Sequence, residues 1–296
     1  MSDRDDIIVI QDLTFTYAAT ETPALRNINL KIQRGEYVAL LGINGAGKTT
    51  LELCLNGIIP NMIMGEMQGS VVVDGKDTNL HPVRELAKTI GIIFDNPEFQ
   101  LSQITVAEEI ALGLENLGVP YDDMNRIIHE MLELVDLQGL EERSPLMLSG
   151  GQQQRLAIAS AMAMQPAIIV MDEPTSNLDP IGKQEVFEIA RKLNRERGMT
   201  VIIAEHEVEV MAQYADRVIV LDHGQILLNG TPSQVFSQVE HLQEIGLRPP
   251  QATELAYRLK NEYAAWNSPL PVTTDQAVAS LEQQLNGVQD AVPSHR

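Results

Sequence analysis

The chain has 296 residues, 44% hydrophobic and 21% charged, with 41 acidic against 21 basic side chains and a net charge of −20. That length holds one large core plus an appendage, and the acidic balance repels nucleic-acid backbones and anionic membrane surfaces, so no nucleic-acid partner is expected. Aromatics at 4% are too sparse for a base-stacking platform, a single cysteine excludes an internal disulfide, and no apolar run reaches the ~20 residues that span a bilayer.

The N-terminal Met1-Ser2-Asp3-Arg4-Asp5-Asp6 is acidic and carries no apolar targeting segment. Ile7 to Ile10, Leu13 to Tyr17 and Leu25 to Ile32 predict short strands separated by polar turns. Within the last, Ile28-Asn29-Leu30-Lys31-Ile32 alternates as a strand with one solvated face does. Arg34-Gly35 turns the chain into Tyr37-Val38-Ala39-Leu40-Leu41, an apolar run of buried-strand length. Gly42-Ile43-Asn44-Gly45-Ala46-Gly47-Lys48-Thr49-Thr50 follows and fits G-x-x-x-x-G-K-[ST]; Leu51 to Leu55 then reads as a helix. Strand, glycine loop and helix is the context that this phosphate-binding pattern needs. The glycines let the backbone curl so that successive N–H groups point at a phosphate, and the helix N-terminus adds its dipole. Lys48 is placed to reach the β- and γ-phosphates of a nucleotide and the Thr49 hydroxyl to ligate Mg²⁺. Cys54, on the helix, is expected to serve packing.

Val71-Val72-Val73, ended by Asp74-Gly75, predicts a strand with a hairpin-type turn, and Ile90 to Phe94 another buried strand. Residues 105–142 change character: Ile127, Ile128, Met131, Leu132 and Val135 recur at helical spacing. From Glu98 to Glu142 eleven carboxylates meet one arginine, Arg126, so half of the chain's net charge sits there, either as a solvated face or as a docking surface. Helices are then expected at Gly151 to Met164, Pro180 to Glu196 and Val208 to Tyr214. Strands are expected at Ala167 to Met171, Thr200 to Ala204, Arg217 to Leu221 and Gln225 to Leu228. Strands alternating with helices imply a largely parallel sheet covered on both faces. Beyond Gly230-Thr231-Pro232 the pattern loosens; Ala252 to Ala265 reads as helix and the last thirty or so residues are weakly patterned.

Two further motifs carry chemistry. Ile168 to Met171 is an apolar strand ending in Asp172-Glu173. A buried strand sets Asp172 beside the phosphate loop, able to hold Mg²⁺ through water, and puts Glu173 where a water attacks a γ-phosphate, a general-base position. Such a run is common by itself; it gains weight from the phosphate loop upstream. Leu148-Ser149-Gly150-Gly151-Gln152 opens a helix that Ser149 caps, and its glycines expose the first N–H groups, making a second anion site.

Phosphate loop, Leu-Ser-Gly-Gly-Gln, and Asp172-Glu173-Pro174-Thr175-Ser176 in this order resemble the ATP-binding cassette (ABC) ATPases over roughly residues 5–232. The resemblance implies an α/β fold: a mostly parallel sheet flanked by helices, an N-terminal antiparallel β part, a helical subdomain at about 98–165, and a cassette spanning 1–236. It implies ATP and Mg²⁺ as ligands and a head-to-tail pair of cassettes. Each ATP then lies between one chain's phosphate loop (Gly42, Asn44, Gly45, Ala46, Gly47, Lys48, Thr49, Thr50) and the other's Ser149, Gly150, Gly151 and Gln152. It further implies that Tyr17 stacks on adenine, that Glu173 and His206 act on the γ-phosphate and its water, and that Asp179 lies at the dimer interface in Ser176-Asn177-Leu178-Asp179. The family has glutamine where Asp95 stands after the Ile90 strand. Aspartate ligates Mg²⁺ more strongly but is repelled by the γ-phosphate, which implies a slower or differently coupled site.

Phe94-Asp95-Asn96-Pro97-Glu98-Phe99-Gln100, Gly113-Leu114-Glu115-Asn116, Arg248-Pro249-Pro250 and Thr253-Glu254-Leu255-Ala256 are similar to the energy-coupling-factor ATPases, importers of vitamins and transition-metal ions. That similarity implies a helical extension at 237–296 that helps to hold the ATPase pair together. It also implies a second ATPase (identical or paralogous), a transmembrane scaffold subunit and a membrane substrate-binding subunit, and a peripheral place on the cytoplasmic face of the cell membrane. Arginine-bearing helices of the scaffold would seat on the acidic segment at Glu98, Glu108 and Glu109. The alternatives are a cassette of another ABC class, or a non-transport ABC module.

Overall fold

Apolar residues running without interruption through short strands leave both faces of a sheet to be buried, and that decides the architecture. The computed structural model describes residues 5–263 and 266–290. Its elements are β1 (Asp6–Tyr17), β2 (Leu25–Gln33), β3 (Tyr37–Leu41), α1 (Lys48–Leu55), the short turn α2 (Ile58–Asn61), β4 (Gly65–Val73), β5 (Lys76–Asp77), α3 (Val83–Leu86) and β6 (Ile90–Ile93). Then come α4 (Val106–Asn116), α5 (Tyr121–Leu134), α6 (Gly150–Ala163), β7 (Ile168–Asp172), α7 (Pro180–Arg197), β8 (Thr200–Ala204), α8 (Val208–Tyr214), β9 (Arg217–Asp222) and β10 (Gln225–Gly230). The C-terminal part holds α9 (Pro232–Phe236), α10 (Val239–Glu244), α11 (Gln251–Tyr263) and α12 (Thr274–Asp290).

Six strands form the central sheet in the order β10-β9-β3-β8-β7-β6, parallel except for the β9–β10 hairpin. Period two sorts β3 between two cores. Tyr37, Ala39 and Leu41 join α4–α8 on one side; Val38 and Leu40 face α1 and the second sheet on the other. β7 divides likewise, Ile169 and Met171 against Ile168 and Val170. Each fully buried aliphatic side chain contributes about 1.5–3 kcal/mol, so the strands that end at the phosphate loop and at Asp172 are held from both faces. The second sheet is antiparallel, in the order β2-β1-β4-β5, with Asp74 and Gly75 both at positive φ in the tight β4–β5 turn.

The polar pair Gln11-Asp12 does not separate two strands, as the sequence suggested. β1 runs through it as a bulge, with Asp12 at φ 49° and the pairing to β4 shifting between Gln11 and Thr14. Asn29 secures the bulge by donating to Asp12 Oδ1 and accepting from the Asp12 N–H, each at 3.0 Å.

α4, α5 and α6 pack through Ile110, Leu114, Ile127, Ile128, Met131 and Leu132, as the helical spacing predicts. The C-terminal part adjoins the main core: Phe236, Leu242 and Val272 belong to the same cluster as Met211, and the Thr253 hydroxyl donates to the Pro271 carbonyl at 2.6 Å. The weak pattern after residue 266 nonetheless forms α12. Met1 to Arg4, residues 264–265 of the expected helix, and 291–296 lie outside the described residues. Among the described residues, no helix is long and apolar enough to cross a membrane.

Candidate functional site

The buried β3 delivers the chain to Gly42, and the loop to Gly47 closes over the N-terminus of α1. Two glycines are sterically required. A Cβ on Gly42 would lie 2.6 Å from the Leu221 carbonyl oxygen, and one on Gly47, at φ 108°, would lie 2.9 Å from that of Ala24. No side chain caps α1, so its first N–H groups face the loop's concavity. Lys48, buried, bends back to donate to the Gly42 carbonyl at 2.9 Å. The Thr49 hydroxyl donates to Asp172 Oδ2 at 2.6 Å, which joins β7 to the loop. Tyr17 reaches the same mouth from the end of β1. Its hydroxyl is 2.9 Å from that of Thr50, and its ring stands edge-on to Phe15, 4.9 Å between centroids. Together these groups line a cavity of about 480 Å³ with Ala24, Asn44 to Gly47, Asp95 and Glu173.

Glu173 follows β7 at φ 46°, a left-handed backbone held by its N–H donating to the Ala204 carbonyl at 2.9 Å. Strain at this position aims the carboxylate into the cavity, where one oxygen, Oε1, lies 2.9 Å from His206 Nε2 and 3.6 Å from Lys48 Nζ. Glu173, His206, Lys48, Thr49 and Asp172 therefore converge as their motifs predict, although they come from three separate stretches of chain.

Electrostatics here call for a cation. Asp172 is pushed above the usual carboxylate range by burial and by the nearby charges of Glu173 and Asp95, against the Thr49 hydrogen bond and Lys48, which lower it. Glu52, which the motif reading passed over, is fully buried on α1 beside Asp172. Burial first, then the charge of the adjacent Asp172 and a hydrogen bond with it, push its carboxyl well above the ordinary value. Its signal was its place one helical turn after Lys48, on the buried face. Asp95, Asp172 and Glu173 thus outnumber Lys48 before any phosphate enters. Two oxygen donors side by side, Thr49 and Asp172, suit a hard cation that shares phosphate oxygens and keeps water, and the donor set fits Mg²⁺. No group of three or more His, Cys, Asp or Glu able to hold a metal by themselves occurs among the described residues.

The helix start read as a second anion site is capped by Ser149 as the sequence predicts. Ser149 caps α6 in a reciprocal box: the Gln152 N–H donates to Ser149 Oγ at 3.3 Å and the Ser149 N–H to Gln152 Oε1 at 3.0 Å. A Cβ on Gly151 would meet nothing within 4 Å, and one on Gly150 only Leu178 Cδ2 at 4.0 Å. Neither glycine is required by the packing of this chain. Gly150 borders a neighbouring cavity with Gln153, Gln154, Asn177 and Glu98, which meets the phosphate-loop cavity only at Asp95.

The acidic residues assigned to an interface divide. Glu98 is exposed; Glu108 is exposed but closes the capping box of α4 with Thr105. Glu109 is not available to a partner: it is 2% exposed and its Oε2 accepts from the N–H groups of Ser102 and Gln103 at 2.7 and 2.8 Å, anchoring the loop before α4. Asp179 is exposed and caps α7 by accepting from the Gly182 N–H at 2.7 Å. Glu205, next to His206, is a second buried carboxylate that motif reading left without a role; its partner, Thr175, is thirty residues away in sequence.

Comparison with known proteins agrees with this geometry. Residues 25–176 match the family model described as ABC transporter. The energy-coupling factor transporter ATP-binding protein EcfA of Methanothermobacter thermautotrophicus is 40% identical over 283 residues, covering 95% of this chain and 88% of that protein. Among solved structures, cbiO1 from Clostridium perfringens, described as part of the ABC transporter complex cbiONQ, superposes with a TM-score of 0.72 at 33% identity, over 86% of this chain and 99% of that one. The dimeric ATP-binding cassette MJ0796 in a post-hydrolysis state with ADP and Pi gives 0.66 at 32% identity, over 76% and 98%.

Proposed function

The chain belongs to the ABC transporter ATP-binding family and is an ATPase that uses ATP and Mg²⁺, and on that premise we propose that it is the ATP-hydrolysing subunit of an energy-coupling-factor importer. It powers uptake of a vitamin or transition-metal ion through a separate membrane complex, bound at the cytoplasmic face. The phosphate loop, the α1 N-terminus and Lys48 hold the triphosphate, and Tyr17 packs on the adenine. Thr49 and Asp172, with Asp95 beside them, hold Mg²⁺, which neutralises charge on the phosphate oxygens when bound. Glu173 orients a water and takes its proton as the water oxygen attacks the γ-phosphorus and the bond to the β,γ-bridging oxygen breaks. His206 Nε2, now on Glu173, contacts the γ-phosphate.

One observation carries the composite character of this site: Gly150 and Gly151 lie at a capped helix N-terminus where their own chain leaves room for a larger residue. Glycine there suits the close approach of something from outside, the γ-phosphate on a second ATPase. Residues 237–296 serve as the extension that steadies this pair, and the exposed Glu98 and Glu108 as part of the scaffold's seat. Affinity purification of the tagged chain from detergent-solubilised membranes, followed by mass spectrometry, tests the class. Two different small membrane subunits and a second ATPase are expected; a partner with a transmembrane domain fused to a cassette, or soluble partners alone, would overturn it.

A further inference from the structure

Ser176, Asn177 and Asp179 are exposed, with Leu178 half-buried among them, in a segment that begins one residue after the wholly buried Thr175. Glu205 holds that residue. It is 3% exposed, and its Oε1 accepts from both the N–H and the hydroxyl of Thr175, at 3.1 and 2.6 Å. Its other oxygen, Oε2, accepts from the His206 N–H at 3.0 Å. The Glu205 N–H in turn donates to the carbonyl of Leu40, two residues before the phosphate loop, at 3.4 Å. The Glu205 side chain thus joins the turn after Glu173 to the backbone of His206, while its own backbone is tied to the end of β3. Beyond His206, Glu207 pairs with Lys183 on the first turn of α7, so both flanks of the histidine are tied to the 175–183 stretch. The outer tie is half-exposed and correspondingly weak; the buried bonds of Glu205 are the stronger link.

We propose that Glu205 is a positioning residue that makes the Glu173–His206 geometry depend on where the 176–179 segment sits. The route is short: Ser176 to Asp179, then Thr175, Glu205, the His206 backbone, and the 2.9 Å contact of His206 Nε2 with Glu173. A body pressing on 176–179 displaces Thr175 and, through the shared carboxylate, the histidine. Because the Glu173 N–H is bonded to Ala204, next to Glu205, base and histidine are set from the same point. This rests on the reading of Glu173 as base and His206 as the γ-phosphate contact.

The test compares Glu205→Ala, Glu205→Gln, Thr175→Val and the Thr175→Val/Glu205→Gln double variant in the purified complex, measuring kcat for ATP and, separately, equilibrium binding of a fluorescent ATP analogue. Misplacement by a fraction of an ångström costs rate and leaves binding alone, so kcat falls ~10-fold or more in Glu205→Ala with the dissociation constant changed less than about twofold. Glu205→Gln keeps an acceptor for Thr175 and retains more activity than Glu205→Ala. The double variant is no slower than the worse single one, because both cut the same link. Unchanged kcat in Thr175→Val and Glu205→Gln would overturn the proposal, as would kcat and affinity falling together or additive losses. If Glu205→Ala does not fold, Thr175→Val, which removes one hydroxyl donor only, decides. Glu173→Gln and His206→Ala measured alongside separate the two failures. If these two stay active, the reading of the base is wrong; if they are inactive while the Glu205 and Thr175 variants are not, only the positioning role falls.

Discussion

Replacing Glu173 by glutamine keeps the side chain's volume and its contact with His206 Nε2, now 2.9 Å, while removing the basic oxygen and one negative charge 3.6 Å from Lys48. Loss of a positioned general base costs about 10²–10⁴-fold in rate, and kcat is expected to fall by that much. Binding should move the other way, since the carboxylate repels the γ-phosphate and competes for Lys48. Two unit charges ~4 Å apart interact by about 4 kcal/mol at an effective dielectric constant of about 20. Glu173 is 27% exposed, so water screens much of this and a net gain of about 1 kcal/mol remains, roughly fivefold in the ATP dissociation constant. Single-turnover phosphate release and equilibrium ATP binding measure the two effects separately. A rate within about threefold of the parent chain, or a loss of ATP affinity, would refute the assignment of Glu173 as base.

Three further outcomes are expected. Gly151→Ala meets no atom of its own chain, so the fold should gain about 0.5–1 kcal/mol from the better helix former while ATP hydrolysis collapses; urea unfolding and phosphate release read the two, and full activity would remove the reason for a glycine there. Glu109→Ala strips two part-buried N–H groups of their buried acceptor and should cost about 1 kcal/mol or more in urea unfolding with ATP affinity unchanged; unaltered stability would return Glu109 to the surface. Asp95→Gln removes a charge that disfavours ionised Asp172 and repels phosphate, so hydrolysis should quicken and need more Mg²⁺; a titration of rate against Mg²⁺ with no change in either would show that Asp95 stands apart from the metal.

What could be read from the sequence was what is local. The phosphate loop, the β7 carboxylates and the Ser149 cap each depend on residues within a few positions, and the strand ends then bring them together. The bulge at Gln11-Asp12 escaped because two polar residues read as a turn, and only pairing of β1 with both β2 and β4 carries the strand across. Glu109 was misplaced on the surface although its spacing held the answer. Val106, Ile110 and Leu114 define the buried stripe of α4, and Glu109 lies against it, accepting bonds from a loop outside the helical period. Glu205 was invisible for a stricter reason, being defined by Thr175 far along the chain, and Glu52, although its place one turn after Lys48 marks it as buried, meets Asp172 only through the fold. α12 shows the opposite limit, a helix whose pattern is too weak to announce it.

The central claim is that the phosphate loop is half of a site whose other half comes from a second ATPase. Cys54 is buried, and burial pushes its thiol up to about 12, so a Ser149→Cys chain can be labelled at the new thiol alone with a short photo-crosslinker. After illumination with ATP in the assembled complex, the account predicts a product with the mass of two chains, joined from residue 149 to a phosphate-loop peptide of this chain's copy or of a paralogue. A product that runs as one chain, bridged within itself to residues 42–50, or one that forms equally without ATP, would contradict it.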